Sequence, residues 1–173
     1  MLFRYLSAIL ILAGLSQNAA ANQGIGYNIK FDYDKYPIER EAAYQHFIKE
    51  YSEYSGDCKI EKSQIGIDLY DIDDDGKKEI FAYLKNSNYC GTAGCSFEIL
   101  KQSKNGDYLA LNWDVSDQQS RRRMIVQDVA ILKELTNNTH NLLFNNLSIW
   151  QWNGNNFEWL SNLKGKPTSK YVE

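Results

Sequence analysis

The sequence predicts an α+β domain in which one N-terminal amphipathic helix packs on a mainly antiparallel, meander-like sheet of about seven or eight strands. Three observations lead to this prediction. Apolar residues recur at helical spacing in one early segment, and short segments with alternating apolar residues follow it. Asn-Gly pairs, which favour hairpin turns, separate some of these segments.

The first 21 residues have the pattern of a cleaved secretory signal peptide. Arg4 supplies a positive charge, and residues 6–15 form an apolar core that is too short to cross a bilayer comfortably. Ala19-Ala20-Ala21 fits the small-x-small rule for cleavage. We therefore expect cleavage after Ala21 and a periplasmic or secreted protein, with an uncleaved N-terminal anchor as the alternative.

Composition and charge suit one exported β-rich domain. The chain has 173 residues, a formal net charge of −3 and 13% aromatic residues. We expect a single globular domain over 22–163 and a loose C-terminal tail over 164–173. The negative charge disfavours nucleic acid or an anionic membrane as the main partner, and no later segment has the pattern of a transmembrane helix.

The helix is predicted to begin near Tyr36-Pro37, because proline is favoured in the first turn. Apolar residues then repeat at helical spacing, namely Ala43, Phe47, Tyr51 and Tyr54. Ser55-Gly56-Asp57 predicts its end. We expect the helix to cover one face of the sheet. His46 is expected at the surface or half-buried, with a functional role as the alternative.

Alternating apolar residues predict the strands, which are expected at 64–70, 79–85, 96–102, 107–113, 129–135, 142–144, 147–152 and 157–160. Residues 129–135 also fit a short helix, although Val129 and Ile131 favour a strand. Residues 22–36 are expected to be irregular. Residues 114–127 are expected to be a solvated loop; their Arg121-Arg122-Arg123 run has an acidic partner as its alternative interpretation.

An acidic loop, Asp71-Ile72-Asp73-Asp74-Asp75-Gly76-Lys77-Lys78-Glu79, connects two of these strands. Carboxylates fall at loop positions 1, 3, 5 and 9, and glycine falls at position 6. This spacing wraps oxygen ligands around one hard cation, and calcium accepts many oxygens in loose geometry. The predicted ligands are Asp71, Asp73, Asp75 and Glu79, with a backbone carbonyl near Lys77. A bare acidic turn is the alternative.

The stretch DLYDIDDDGKKEIFAYL resembles the FG-GAP/VCBS type of calcium repeat, which carries D-x-[DN]-x-D-G-x-x-[DE] between strands. The following Cys90-Gly91-Thr92-Ala93-Gly94-Cys95 extends the resemblance to small secreted bacterial proteins with one such loop and a C-G-x-x-G-C segment. The similarity covers about residues 64–113. It implies a calcium loop between strands and gives no information about activity.

The three cysteines, Cys58, Cys90 and Cys95, agree with an oxidising compartment. Gly91 and Gly94 allow the backbone conformations that a small ring requires, which favours a Cys90–Cys95 disulfide. The alternative joins Cys58 to one of the pair. In either case one thiol is left over, either buried or bridging two chains.

The sequence offers two sets of candidate binding residues. The first is the segment between Cys90 and Cys95, formed by Gly91, Thr92, Ala93 and Gly94. The second is Trp150 with Trp152, which share one face of a predicted strand. As an exposed pair these tryptophans would stack on sugar rings or bind a protein, and the alternative is that they belong to the core.

A catalytic constellation is not evident. The two histidines, His46 and His140, lie far apart in sequence, and no G-x-S-x-G, H-E-x-x-H or P-loop motif occurs. We therefore expect a non-enzymatic exported calcium-binding protein that acts as a protein-binding module. An inhibitor or immunity protein against a cell-envelope-acting enzyme is the concrete form. The alternative is a calcium-supported hydrolase or glycan-binding protein of the envelope.

Overall fold

The computed structural model describes residues 24–51, 59–114 and 124–163. Within these residues the chain forms one α-helix and twelve strands. The elements are β1 Ile25–Asn28, α1 Pro37–Tyr51, β2 Ile65–Tyr70, β3 Glu79–Leu84, β4 Cys90–Gly91, β5 Gly94–Gln102, β6 Tyr108–Ala110, β7 Asn112–Asp114, β8 Met124–Val126, β9 Val129–Thr136, β10 Thr139–Phe144, β11 Ser148–Trp152 and β12 Asn156–Asn162.

The prediction of a helix on a single meander sheet is wrong, because the strands form two six-stranded sheets. The first sheet has the order β1-β9-β10-β11-β12-β7. The second has the order β2-β3-β5-β4, and β6 and β8 pair with further parts of β5. Neighbouring strands are antiparallel except β12 and β7, which are parallel. The described part of the chain is therefore mostly β, with one α-helix.

The error arose where the chain passes from one sheet to the other. The predicted strand at 107–113 is in fact two strands separated by Leu111. Before Leu111, β6 pairs with β5 in the second sheet; after it, β7 pairs with β12 in the first. The segments expected to be irregular also contain strands, namely β1 and β8. Alternation reveals a strand but not its partner.

The two sheets enclose an aromatic core. Phe97 of the second sheet contacts Phe144 of the first, with ring centroids 5.7 Å apart. Trp113 is 1% exposed and contacts Phe144 edge to face at 5.6 Å. Such contacts stabilise beyond the apolar area they bury, by about 0.5–1.5 kcal/mol for each pair. Packed aromatic side chains therefore hold the two sheets together.

The helix α1 covers the outer face of the second sheet. Its buried residues Ala43, Phe47 and Tyr51 follow the predicted spacing. Side chains alternate along β3, so that Phe81 faces the inter-sheet core while Ile80 faces the helix. The helix thus packs on one of two sheets, and three layers result.

Several expectations lie outside the described residues. These concern the signal peptide, Cys58, the three-arginine run at 121–123 and the tail from residue 164. Among the described helices, none is long and apolar enough to cross a membrane.

Candidate metal centre

The acidic loop closes the β2–β3 hairpin. The two strands pair in register from Ile65 opposite Leu84 to Tyr70 opposite Glu79, so residues 71–78 form the connection. Asp74 and Gly76 have positive φ values of 54° and 84°. Glycine adopts this left-handed conformation without steric cost, which explains its place at the sharp bend. The loop therefore folds tightly between two fixed strand ends.

Asp71 organises the loop through its backbone amides. Its Oδ1 accepts a hydrogen bond from the Asp75 amide at 3.1 Å, and its Oδ2 accepts one from the Gly76 amide at 2.8 Å. An aspartate that binds amides further along its own turn holds that turn in shape. Asp71 is thus both a predicted metal ligand and the residue that closes the loop.

Glu79 is the buried member of the acidic group. It begins β3, its side chain is 1% exposed, and its Oε2 accepts a hydrogen bond from the Ile72 amide at 3.0 Å. Burial raises the pKa of its carboxyl group, and the hydrogen bond from Ile72 and the charge of Lys101 offset this only in part. The protein therefore holds a carboxylate where ionisation is costly without a nearby cation.

Three of the predicted ligands meet at one place. Asp71, Asp73 and Glu79 each present a carboxylate oxygen, and these oxygens all lie within 4.8 Å of one another. The Oδ1 of Asp73 is buried and has no hydrogen-bond partner. A buried oxygen without a donor is unfavourable, and a cation would satisfy it.

The other two predicted positions, Asp75 and Lys77, lie at the exposed side of the loop. The Oδ1 of Asp75 accepts a hydrogen bond from the Lys77 amide at 2.8 Å. That hydrogen bond and Lys101 hold the pKa of Asp75 below its usual value. Asp75 is thus not one of the three residues whose carboxylate oxygens lie within 4.8 Å of one another.

Lys101, which sequence reasoning missed, lies among these carboxylates. Its Nζ forms ion pairs with Asp73, with Asp75 at 3.2 Å and with Glu79 at 3.2 Å. Burial lowers the pKa of Lys101, but the carboxylates of its three partners outweigh that effect and raise it above the usual value. Strand register brings it there: Ile80 of β3 pairs with Leu100 of β5, so Lys101 follows at the Glu79 end of β3.

His140 supports the loop from the other sheet. Its backbone amide donates to the Ile72 carbonyl at 2.8 Å, and its Nε2 lies 3.6 Å from the Asp74 carboxylate. Its Nδ1 lies 2.7 Å from the Leu132 carbonyl, which fixes the ring. The loop is therefore held by Lys101 of the second sheet and by His140 of the first.

The donor set fits a hard cation. Calcium takes about six to eight oxygen ligands at roughly 2.3–2.6 Å, from carboxylates, backbone carbonyls and water. Asp71, Asp73 and Glu79 offer such oxygens, and one of them, the buried Oδ1 of Asp73, has no hydrogen-bond partner. Lys101 supplies one positive charge at the same carboxylates and neutralises them in part.

The predicted Cys90–Cys95 disulfide is confirmed. It closes a small ring between β4 and β5 in which Gly91, Thr92 and Ala93 are exposed and Gly94 is buried. The Gln127 side-chain amide donates to the Thr92 carbonyl at 3.1 Å. The ring therefore carries three exposed residues, and the Gln127 side chain fixes its backbone at Thr92.

The tryptophans pack at one end of the core. Trp150 is 8% exposed and meets Trp113 edge to face at 6.1 Å. Trp152 is half-buried and packs against Phe157 at 5.1 Å. Trp159 pairs with Trp150 across the strands and is 55% exposed. The structure thus places Trp150 and Trp152 against the core rather than on an open face.

A second buried acid, Glu98, lies beneath the helix. Its side chain is 1% exposed, contacts His46 and accepts a hydrogen bond from the Tyr51 hydroxyl at 3.0 Å. Burial raises the pKa of Glu98, and its hydrogen bonds and the His46 charge offset this only in part. This group ties α1 to β5.

Comparison of the chain with protein-family models, with curated proteins and with solved structures found no match. The geometry and the charge of the described residues are therefore what indicate a site. Among them the acidic loop has the clearest ligand chemistry, because carboxylate oxygens favour hard cations.

Proposed function

We propose that the chain is an exported calcium-binding protein without catalytic activity, whose bound ion stabilises a β scaffold that binds a protein partner in the cell envelope. One observation supports calcium above all: the oxygens of Asp71, Asp73 and Glu79 lie within 4.8 Å of one another, and Asp73 has a buried oxygen without a hydrogen bond. The FG-GAP/VCBS-like interpretation of the loop belongs to the same proposal.

The proposed role of the ion is structural. The loop joins β2 to β3 and contacts both sheets through Lys101 and His140. Because calcium binds the folded loop and not the unfolded chain, it stabilises the fold by about 2.7 kcal/mol when its concentration is 100 times Kd. For a chain of this length that corresponds to a rise in Tm of roughly 5–11 °C.

Thermal unfolding with calcium and with EGTA tests this proposal. Calcium is expected to raise the Tm of the wild type by several degrees and to have no effect on Asp73→Asn, which keeps the shape of the side chain and removes its charge. Asp107→Asn is the matched control, because Asp107 is an exposed carboxylate in another turn. Equal shifts in the wild type and Asp73→Asn, or no shift in either, would rule out this site.

The partner surface that we propose is the exposed tip of the disulfide ring, Gly91, Thr92 and Ala93. The ring is closed by Cys90–Cys95, and the Gln127 side chain holds its backbone at Thr92. A segment that is already ordered loses little conformational entropy on binding, which favours affinity. A disulfide also suits a periplasmic or secreted protein. These features support an inhibitor or immunity protein that inserts this tip into a cell-envelope-acting enzyme.

Affinity capture from cell-envelope extracts tests the role of the tip. The wild type and Asn105→Glu are expected to recover a hydrolase, and Thr92→Glu is expected to recover none. Asn105 is the matched control because it is exposed at the turn of a different hairpin. Recovery of the same hydrolase by Thr92→Glu would exclude the tip as the binding surface.

A further inference from the structure

We propose that Lys101 is an intramolecular counter-ion of the acidic loop: its ammonium occupies the carboxylates in the absence of calcium and is displaced when calcium binds. This inference rests on the proposed calcium site and adds the residue that sets its affinity. The wild-type protein then folds without an ion and binds calcium more weakly than the bare loop would.

The contacts of Lys101 place a positive charge inside the loop. Its Nζ forms ion pairs with Asp73 and Asp75 of the loop and with Glu79 at the start of β3. The side chain is 31% exposed, and Lys101 belongs to the long strand β5. A lysine ammonium is a compact charge at the end of a flexible stem, so it can neutralise the loop and also withdraw from it.

Calcium and Lys101 compete because they use the same oxygens. Asp73 and Glu79 are partners of Lys101, and both also belong to the three-residue group that offers a metal site. An ammonium and a divalent cation a few ångströms apart repel each other strongly, even at the dielectric constant of a protein surface. Both cannot stay on these carboxylates, so calcium binding breaks the ion pairs of Lys101.

The cost of displacement sets the expected size of the effect. A partly exposed ion pair changes an equilibrium by roughly 1.4- to 5-fold. Three such pairs, with Asp73, Asp75 and Glu79, together lower the calcium affinity by about tenfold. Glu79 is the buried partner and contributes most to this factor, because buried charges are screened less by solvent.

Calorimetric titration with calcium chloride at fixed pH tests the inference in Lys101→Met, which removes the charge and keeps most of the stem. Lys101→Met is expected to bind calcium about tenfold more tightly than the wild type. In EGTA it is expected to have the lower Tm, and calcium is expected to restore that Tm. Lys101→Arg keeps the positive charge and is expected to bind calcium like the wild type.

Each outcome separates this inference from the proposed function. If the wild type binds calcium and Lys101→Met binds it no more tightly, the inference fails and the calcium site stands. If only Lys101→Met binds calcium, calcium does not displace Lys101 in the wild type, so the inference and the proposed function both fail. If neither binds calcium, both fail.

A measurement on the wild type covers the case in which Lys101→Met does not fold. Trace acetylation followed by mass spectrometry reports how accessible each lysine amine is. Calcium is expected to increase the labelling rate of Lys101 severalfold relative to Lys104, an exposed lysine in the adjacent turn. An unchanged ratio in saturating calcium would show that the ammonium is not displaced.

Discussion

Gly94 is the position at which the disulfide ring meets the rest of the fold, and we predict that Gly94→Ala is strongly destabilising. Gly94 has φ +122°, which side chains other than glycine rarely adopt. A Cβ atom there would lie 1.8 Å from the backbone carbonyl oxygen of Val126. This oxygen belongs to β8, which pairs with β5 from Cys95 opposite Val126. The backbone of β8 must therefore move to admit a methyl group.

The magnitude follows from two costs. A residue with a side chain in a sparsely populated conformation costs about 1–3 kcal/mol. An added methyl group in a packed site costs about another 1–3 kcal/mol. The sum, roughly 2–6 kcal/mol, is a large fraction of the 5–15 kcal/mol that separates a typical folded domain from its unfolded state.

Chemical denaturation of oxidised protein is the assay, and Gly91→Ala is the matched control. Gly91 lies in the same ring, but nothing lies within 4 Å of a Cβ placed there. Gly91→Ala is expected to stay within about 0.5 kcal/mol of the wild type, as surface substitutions usually do. A Gly94→Ala protein that unfolds at the same denaturant concentration as Gly91→Ala would refute the close approach of the β8 backbone to Gly94.

Three further predictions concern the scaffold. Replacing Cys90 and Cys95 together by alanine is expected to lower the free energy of unfolding in urea by about 2 kcal/mol, the chain-entropy estimate for a ring this small. An unchanged free energy of unfolding would contradict this prediction. Phe97→Ala is expected to cost about 3–5 kcal/mol in the same assay because its ring lies at the centre of the core, and a cost below 1 kcal/mol would refute that placement. Burial raises the pKa of Glu98 above its unfolded-state value of about 4.3. The free energy of unfolding therefore includes a contribution from protonated Glu98 that is fully present below about pH 4.3. This contribution is lost as the pH rises through the pKa of Glu98 in the folded state. Between pH 4 and 7, the free energy of unfolding of Glu98→Gln should therefore increase relative to that of the wild type as the pH rises. Neighbouring side-chain amides lower the pKa of Glu158, so the free energy of unfolding of Glu158→Gln should decrease relative to that of the wild type over the same range. The same pH dependence in both variants would contradict the raised pKa of Glu98.

Local features were predictable because their determinants are close in sequence. The carboxylate and glycine spacing from Asp71 to Glu79 predicted a loop between two strands, and β2 and β3 begin and end within one residue of the prediction. The Cys90–Cys95 disulfide spans a short glycine-containing segment, so its geometry is also local. The helical repeat of Ala43, Phe47 and Tyr51 correctly identified the buried face of α1.

The remaining features depend on contacts between distant segments. The partition into two sheets is decided at Leu111, where the chain changes sheet without a turn signal in its sequence. Lys101 reaches Glu79 only through the register of β3 and β5, and His140 reaches the loop from the other sheet. Periodicity assigns a side chain to a face, but not to the neighbour that it meets.

A crystal structure of the protein grown in calcium chloride, with anomalous data collected at long wavelength, tests the central claim most directly. An anomalous peak is expected among Asp71, Asp73 and Glu79, at about 2.3–2.6 Å from their oxygens, with Nζ of Lys101 withdrawn from Asp73. Absence of this peak in saturating calcium, with the Lys101 ammonium still on Asp73, would show that the loop is neutralised by the chain itself and is not a calcium site.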